Sequence, residues 1–157
     1  MELEDIINFD KLITNYGLAI DSSLLDVGCA KGYLVNDFNL NPNVGKAVGV
    51  DISAYALICG TRENINGTLF CSNATNLPFH DNSFDLVFCK DTLHNLLTED
   101  EVVKALAELQ RVAKNAWVRV GAYNTLEQKE VIDKWATFAT CYFHTDKWAK
   151  LFERAGF

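Results

Sequence analysis

A turn containing glycines and bracketed by two acids is the part of the sequence best suited to chemistry. The stretch LLDVGCAKGYL, residues 24–34, carries Asp26, Gly28 and Gly32, and a second acid, Asp51, follows the run AVGV. Glycine takes backbone conformations closed to other residues and lets a ligand approach the main chain. The turn therefore predicts a ligand site, and the two acids restrict what that ligand is.

Two classes of ligand compete for this turn. A dinucleotide site needs the pattern G-x-G-x-x-G, so that a pyrophosphate lies on the N-terminus of the next helix. Counted from Gly28, Ala30 and Tyr33 stand where that pattern has glycines. Asp26 repels a pyrophosphate but suits an ammonium group, or caps N–H groups of the turn itself. Asp51 stands where a carboxylate accepts both hydroxyls of a ribose, so an amino acid joined to a nucleoside, such as S-adenosylmethionine, satisfies both acids.

The stretch CKDTLHN, residues 89–95, supplies the candidates for proton transfer: Lys90, Asp91 and His94. His94 is the candidate general base, because the ordinary pKa of histidine lies near neutrality. Packing or capping is the structural alternative for this residue. Lys90 is expected to contribute only its backbone to the ligand, and His144 is expected to cap the last helix.

Four aromatic residues near the C-terminus allow two interpretations. Trp135, Phe138 and Tyr142 recur at helical spacing, and Trp148 follows them. Such a stripe usually packs into a core. Because it comes after the last predicted strand, it also suits a pocket for a small planar or apolar acceptor.

The elements that must position these residues alternate between strand and helix. Apolar runs predict strands over residues 24–27, 47–50, 68–71, 84–89 and 116–120. Periodicity and capping residues predict helices over 3–16, 33–40, 53–64, 126–142 and 146–155, and another that begins at Thr98. Continuous apolar strands indicate a parallel sheet covered on both faces. The fold class is therefore α/β, doubly wound, in which ligands bind beyond the carboxyl ends of the strands.

Composition narrows the function further. The 157 residues suit a single domain, and the net charge of −7 offers no electrostatic footprint for nucleic acid. No apolar run is long enough to cross a membrane. The five cysteines are not spaced as metal or redox pairs. With no secretory signal evident, we expect a cytoplasmic protein without a metal site.

The motifs resemble those of the class I S-adenosylmethionine-dependent methyltransferases. LLDVGCAKGYL is similar to the first motif of that family, and VGVDIS to its ribose-binding acid with the adenine-side residue after it. NATNLPFHDNSFDLVFCKDTLHNL, residues 73–96, resembles the small-molecule branch. The resemblance implies a Rossmann-like fold, S-adenosylmethionine as cofactor and in-line methyl transfer to a small molecule. The cofactor-binding positions that it implies are Asp26, Gly28, Cys29, Ala30, Gly32, Asp51, Ile52, Asn73, Ala74 and Lys90.

Two departures from the family pattern stand out. Asn73 replaces the usual aspartate that accepts from the adenine amino group, a role that asparagine can also fill. KNA, residues 114–116, replaces a proline-glycine-glycine turn. Two other functions stay open: a partner subunit that binds cofactor without catalysis, and an NAD(P)-dependent oxidoreductase.

The resemblance also carries an expectation about the sheet. The family has seven strands, whereas five are predicted here, before the sequence ends at AGF. We expect a single methyltransferase domain over residues 1–157 that is incomplete at its C-terminus and lacks the last strand pair. The fifth strand would then be an exposed edge. Pairing of a second copy along that edge, as a homodimer, is the alternative expectation.

Overall fold

The computed structural model describes residues 15, 17–136 and 140–157. Its main sheet has five strands: β1 (Ser22–Val27), β2 (Val44–Asp51), β3 (Thr68–Cys71), β4 (Phe84–Lys90) and β5 (Ala113–Arg119). All four pairings are parallel, in the order β3-β2-β1-β4-β5. The predicted α/β fold with a parallel sheet is confirmed.

The helices follow the strands as the alternating pattern predicts. They are α1 (Tyr33–Leu40), α2 (Ala54–Arg62), α3 (Glu99–Val112), α4 (Leu126–Trp135) and α5 (Thr145–Arg154). A 3₁₀ turn, Leu93–Asn95, precedes α3, and a small parallel pair joins β6 (Ala122–Tyr123) to β7 (Phe143–His144). The predicted caps are present, since Ser53 accepts from Ala56 N, Thr98 from Glu101 N and His144 from Asp146 N.

Two hydrophobic clusters lie on opposite faces of the sheet. Leu24 of β1 packs in the cluster that also holds Val35 and Phe38 of α1. The next residue, Leu25, packs with Leu106 of α3 in the other cluster. Adjacent strand residues point to opposite faces, so the sheet is covered on both sides, as a doubly wound fold requires.

One predicted element is wrong in part. The helix predicted over 126–142 ends at Trp135, and Thr140 and Cys141 are not helical. Their N–H groups both donate to the carbonyl of His94, each at 3.0 Å. A long-range partner therefore replaces the helical bonds there. The helix predicted over 3–16 lies outside the described residues, apart from Asn15.

The fifth strand is an edge of the sheet in the part of the chain that the structure describes. Every residue of β5 that pairs does so with β4. The residues Asn115–Arg119 are only partly buried. Pairing of a second copy along this edge stays a prediction.

The strand order reverses between β1 and β4. The chain passes from β1 to β2 and β3 on one side, and then crosses to β4 and β5 on the other. Parallel sheets bind their ligands in the crevice at this reversal, beyond the carboxyl ends of the strands. The glycine turn after β1 and the loop after β4 meet there, so the fold places the predicted site at the reversal.

The packing of α3 gives a test of the core. Leu106 is fully buried, whereas Leu126, at the start of α4, is 78% exposed. Leu106→Ala should lower the free energy of unfolding by about 2–5 kcal/mol, because it removes buried methyl groups and leaves a cavity. Leu126→Ala is the matched control and should change it by less than about 0.5 kcal/mol. Urea denaturation measures both; equal losses would contradict the assigned core.

Candidate functional site

A cavity of about 500 Å³ opens at the carboxyl ends of the strands. This volume lies in the usual range for small-molecule sites. The residues that line it come from the ends of β1, β2 and β4, from the loops after β1 to β4, and from the first turn of α3. They are Val27, Gly28, Ala30, Val50, Asp51, Ile52, Ser72, Asn73, Ala74, Lys90, Asp91, Thr92, Asn95, Leu96, Leu97 and Glu101.

Close packing against Thr92 explains the first glycine of the turn. Gly28 has a φ of 82°, and a Cβ atom there would lie 1.9 Å from Thr92 Oγ1. That oxygen lies 3.2 Å from the carbonyl of Val27 and 3.0 Å from that of Lys90, and donates to them. The Thr92 hydroxyl thus joins the ends of β1 and β4. This contact alone requires glycine at position 28, whether or not a ligand also approaches the backbone there.

The N–H groups of the turn are largely used within the protein. Those of Gly28 and Cys29 donate to the carbonyl of Val50, at 2.8 and 3.0 Å. Ala30 N donates to the Asp51 carboxylate, and Gly32 N to the carbonyl of Cys29, both at 2.8 Å. A phosphate cradle needs such groups to point at the ligand. The turn is therefore poorly suited to a pyrophosphate.

Asp51 connects the turn to the next helix. Its Oδ2 accepts from Ala30 N and its Oδ1 from Ser53 N, both at 2.8 Å. Each carboxylate oxygen can accept more than one hydrogen bond. Asp51 also lines the cavity, so both oxygens retain the capacity to accept from a diol.

Asp26 lies behind the turn and is only 6% exposed. None of the described residues donates a hydrogen bond to its carboxyl group. Burial and, to a smaller extent, the Asp51 carboxylate raise the pKa of Asp26 to about 7, whereas Lys90 acts in the opposite direction. A buried acid without a donor is unfavourable in its ionised form, so this position suits a ligand that brings a positive charge.

The loop after β3 is held in place by Arg111 of α3. Its guanidinium donates to the carbonyls of Leu77 and Phe79, at 3.1 and 2.7 Å, and pairs with Glu108. Glu108 in turn accepts from Leu77 N at 2.7 Å. These bonds fix residues 77–79. They thereby hold the preceding residues 72–74, which line the cavity and in which Asn73 Oδ1 accepts from Thr75 N at 2.9 Å.

The structure brings most of the predicted cofactor residues to one cavity. Seven of the ten line it: Gly28, Ala30, Asp51, Ile52, Asn73, Ala74 and Lys90. The other three, Asp26, Cys29 and Gly32, are not on the lining. Asp26 and Cys29 are 6% and 7% exposed, and a Cβ atom on Gly32 would meet Leu69 at 2.9 Å.

The candidate base His94 lies beside the cavity rather than on its lining. It is 8% exposed; its Nδ1 accepts from Gly121 N at 3.1 Å, and its ring stacks on Tyr142 with centroids 4.9 Å apart. Burial lowers the pKa of His94, and Arg119 adds to that, whereas Asp91 opposes it. The role of His94 as general base stays a prediction.

Asp91 and Arg119 form an ion pair next to His94. Arg119 Nε donates to Asp91 Oδ1 at 3.0 Å, and Nη2 donates to the other oxygen. The N–H of Asp91 also donates to the carbonyl of Arg119 at 2.9 Å. The ends of β4 and β5 are thereby tied together at the rim, and the backbone of Asp91 has a φ of 55°.

Sequence reasoning missed several lining residues. They are Ser72, Thr92, Asn95, Leu96, Leu97 and Glu101. Leu97 is 74% exposed and lies at the mouth together with the predicted Ile52, which is 71% exposed. No local pattern marks the six missed residues, because only the strand order brings them to the turn.

Among the described residues, no cluster of three or more histidine, cysteine or acidic side chains could hold a metal ion. All five cysteines are free thiols. Within the same part of the chain, the helices are too short or too polar to cross a bilayer.

Fold and site together define a Rossmann-like domain built around an acid-flanked turn. The family described as methyltransferase domain matches residues 25–116, more than half of the chain. The chain therefore belongs to the S-adenosylmethionine-dependent methyltransferase family, as its motifs predict.

The relatives are longer and differ in activity. A probable methyltransferase, ltbC of Aspergillus luteorubrus, is 32% identical over 116 residues, which cover 67% of this chain and 40% of that protein. The mitochondrial arginine-hydroxylase NDUFAF5 of Rattus norvegicus is 34% identical over 108 residues, 68% of this chain and 30% of its own. The chain thus spans less than half the length of either.

One solved structure shows how far the fold is shared. The [4+2]-cyclase SpnF superposes with a TM-score of 0.71 at 22% identity, over 94% of this chain and 54% of its own. At that identity the likeness concerns the fold alone. Membership in the family therefore leaves the acceptor open.

The burial of Asp26 gives a stability prediction with a defined sign. Its pKa in the folded protein, about 7, lies above the ordinary value of 3.8. The favourable contribution of its protonated form is therefore complete below pH 3.8 and is lost as pH rises through 7. Asp26→Asn should stabilise the ligand-free protein at pH 8 by roughly 2–4 kcal/mol, and the gain should shrink toward pH 4.

Asp85, near the start of β4 and far from the cavity end of the sheet, is the control. Lys114 and Ser23 lower the pKa of Asp85, so Asp85→Asn should destabilise the protein at pH 8. Thermal unfolding between pH 4 and 8 measures both variants. A loss of stability in Asp26→Asn at pH 8 would show that its carboxylate is paired in the folded state.

Proposed function

We propose that this chain binds S-adenosylmethionine in the cavity and transfers its methyl group to a small-molecule acceptor. The observation that carries the proposal is the presence of two acids, Asp26 and Asp51, on either side of a turn whose N–H groups largely donate to acceptors within the protein. A pyrophosphate needs free N–H groups and no buried acid. A ligand with an ammonium group and a ribose diol needs acids as acceptors and does not need free N–H groups in the turn.

The residues present suit the cofactor. Asp51 is assigned to the ribose hydroxyls and Asp26 to the ammonium group. Ile52, Asn73 and Ala74 are assigned to the adenine side. The side-chain oxygen of Asn73, Oδ1, also accepts from Thr75 N. The remaining assigned positions form the turn or the rim: Gly28, Cys29, Ala30, Gly32 and Lys90.

The chemistry needs little from the protein beyond position. When bound, S-adenosylmethionine supplies a methyl group made electrophilic by its sulfonium. The chain holds the acceptor in line with that methyl group at near-attack distance. A base is needed only where the nucleophile must lose a proton, and His94 is the predicted candidate, beside the Asp91–Arg119 ion pair.

Charge supports a small acceptor over a nucleic acid. The net charge is −7, and the ionisable residues on the cavity lining are three acids and one lysine: Asp51, Asp91, Glu101 and Lys90. An acidic surface does not favour a phosphate backbone. The free thiols support a cytoplasmic location as part of the same proposal.

Two rival functions make different predictions. A partner subunit without catalysis would bind S-adenosylmethionine and transfer no methyl group to any component of a cell extract. An NAD(P)-dependent oxidoreductase would bind a nicotinamide cofactor instead. Calorimetric titration with each cofactor separates the second rival, and a labelled methyl donor with cell extract separates the first.

Asp51 provides the direct test of the cofactor site. Hydrogen bonds to a charged acceptor contribute roughly 1.5–3 kcal/mol each. Asp51→Ala should therefore weaken the binding of S-adenosylhomocysteine, the demethylated product, by at least about tenfold. Isothermal titration calorimetry measures the affinity.

Asp133→Ala serves as the control, because Asp133 pairs with Lys129 on the surface of α4 and is absent from the cavity lining. Its affinity should equal that of the wild type. Unchanged affinity in Asp51→Ala would refute the ribose assignment. Tight binding of NAD(H) by the wild type would refute the proposed cofactor.

A further inference from the structure

The bonds around His94 connect three parts of the chain that are distant in sequence. Its ring Nδ1 accepts from Gly121 N, just beyond β5, at 3.1 Å. Its backbone carbonyl accepts from Thr140 N and Cys141 N, and its ring stacks on Tyr142. His94 itself belongs to the loop after β4. One residue therefore holds two later segments against this loop.

The position facing His94 is built to accept this contact. A Cβ atom on Gly121 would lie 2.0 Å from the ring of Tyr142, so no side chain fits there. The carbonyl of Gly121 accepts from Trp148 Nε1 at 3.0 Å. The Gly121 residue is thus bonded on its N–H side by His94 and on its carbonyl side by the buried Trp148.

The same loop lines the cavity. Asn95 and Leu96 follow His94 and belong to the lining. The carbonyl of Leu96 accepts from Thr140 Oγ1, and from Cys141 Sγ at 3.1 Å. Hydrogen bonds thus connect residues 140–142 and Gly121 to the cavity wall through His94 and Leu96.

We propose that His94 is a positioning residue: by accepting the Gly121 N–H, its neutral ring fixes Gly121 and residues 140–142 against the cavity-lining loop. Protonation of Nδ1 removes the acceptor and releases this contact. The proposal deepens the proposed function, on which it rests for its effect on methyl transfer, but the contact itself can be tested without any cofactor.

The surroundings of His94 favour the neutral ring. Asp91 faces it from its own loop, Arg119 from the end of β5, and the Tyr142 ring from the segment before β7, where the Cys141 thiol donates to the carbonyl of Leu96. Burial and Arg119 lower the pKa of His94, and Asp91, itself paired with Arg119, opposes them. The ordinary pKa of histidine is 6.5. The Gly121 contact should therefore be released only at a pH below that value.

The wild-type protein gives the first test, by NMR. The Gly121 amide resonance should titrate together with the His94 ring, with a midpoint below pH 6.5. Below that midpoint the protection of the Gly121, Thr140 and Cys141 amides, measured as exchange relative to the intrinsic rate at the same pH, should fall about three- to tenfold, because one hydrogen bond is lost. A Gly121 resonance that does not follow the His94 titration overturns the proposal.

Two substitutions separate positioning from base catalysis. His94→Asn places an amide oxygen near the site of Nδ1 and should keep the Gly121 bond at every pH; His94→Gln places its oxygen farther out and should lose it. His94→Asn should therefore retain slow exchange at Gly121 and transfer more labelled methyl to a cell extract than His94→Gln, which should lose the slow exchange. His144→Asn and His144→Gln are the matched controls, since His144 Nδ1 accepts from Asp146 N at a half-exposed helix end; neither should alter exchange at Gly121.

Each result has a defined meaning. If His94→Asn keeps slow exchange and the affinity for S-adenosylhomocysteine but transfers no more methyl than His94→Gln, the Gly121 contact has no effect on transfer and the positioning role is overturned. Identical exchange in the Asn and Gln variants overturns it as well. If the wild type fails to bind S-adenosylhomocysteine, the proposed function fails, while the NMR titration still decides the contact.

Discussion

The contact between Gly28 and Thr92 is the constraint on which the rest of the site depends. The Thr92 hydroxyl reaches the carbonyls at the ends of β1 and β4, and so closes the crevice where the strand order reverses. The turn after β1 can pass only because position 28 lacks a side chain. Its amides then reach Val50 and Asp51 at the end of β2. A larger residue at position 28 would therefore displace three strand ends at once, together with the cavity they enclose.

This arrangement leaves the ligand-free protein with an unfavourable charge distribution. Asp26 is buried without a donor, and Asp51 raises its pKa further. Functional sites often retain such groups, because a bound ligand compensates for them and the rest of the fold carries the loss. Elsewhere the described ion pairs are ordinary: Asp85 meets Lys114 and Glu108 meets Arg111. The buried acid behind the turn is thus an exception, and it is the position to which the proposed function assigns a cationic ligand group.

Local patterns predicted much of the fold, and α1 and β3 have the same bounds in the sequence and in the structure. They succeeded because apolar periodicity and caps such as Ser53 act over a few residues. The helix predicted over 126–142 failed beyond Trp135, because Thr140 and Cys141 bond to His94, more than forty positions away. The same limit applies at the site. The acids and glycines stand in recognisable order, whereas Thr92 opposite Gly28 and Gly121 opposite His94 follow only from strand order.

The two halves of the site are therefore encoded differently. The residues assigned to the cofactor lie between Asp26 and Lys90, inside the matched family segment of 25–116. Arg119, Gly121 and residues 140–148 lie beyond that segment, and hydrogen bonds distant in sequence join them to one another and to the loop after β4. The relatives include a probable methyltransferase and an arginine-hydroxylase, so the shared family segment does not fix the activity. Under the proposed function, the acceptor is therefore to be sought in the contacts around His94 rather than in the glycine turn.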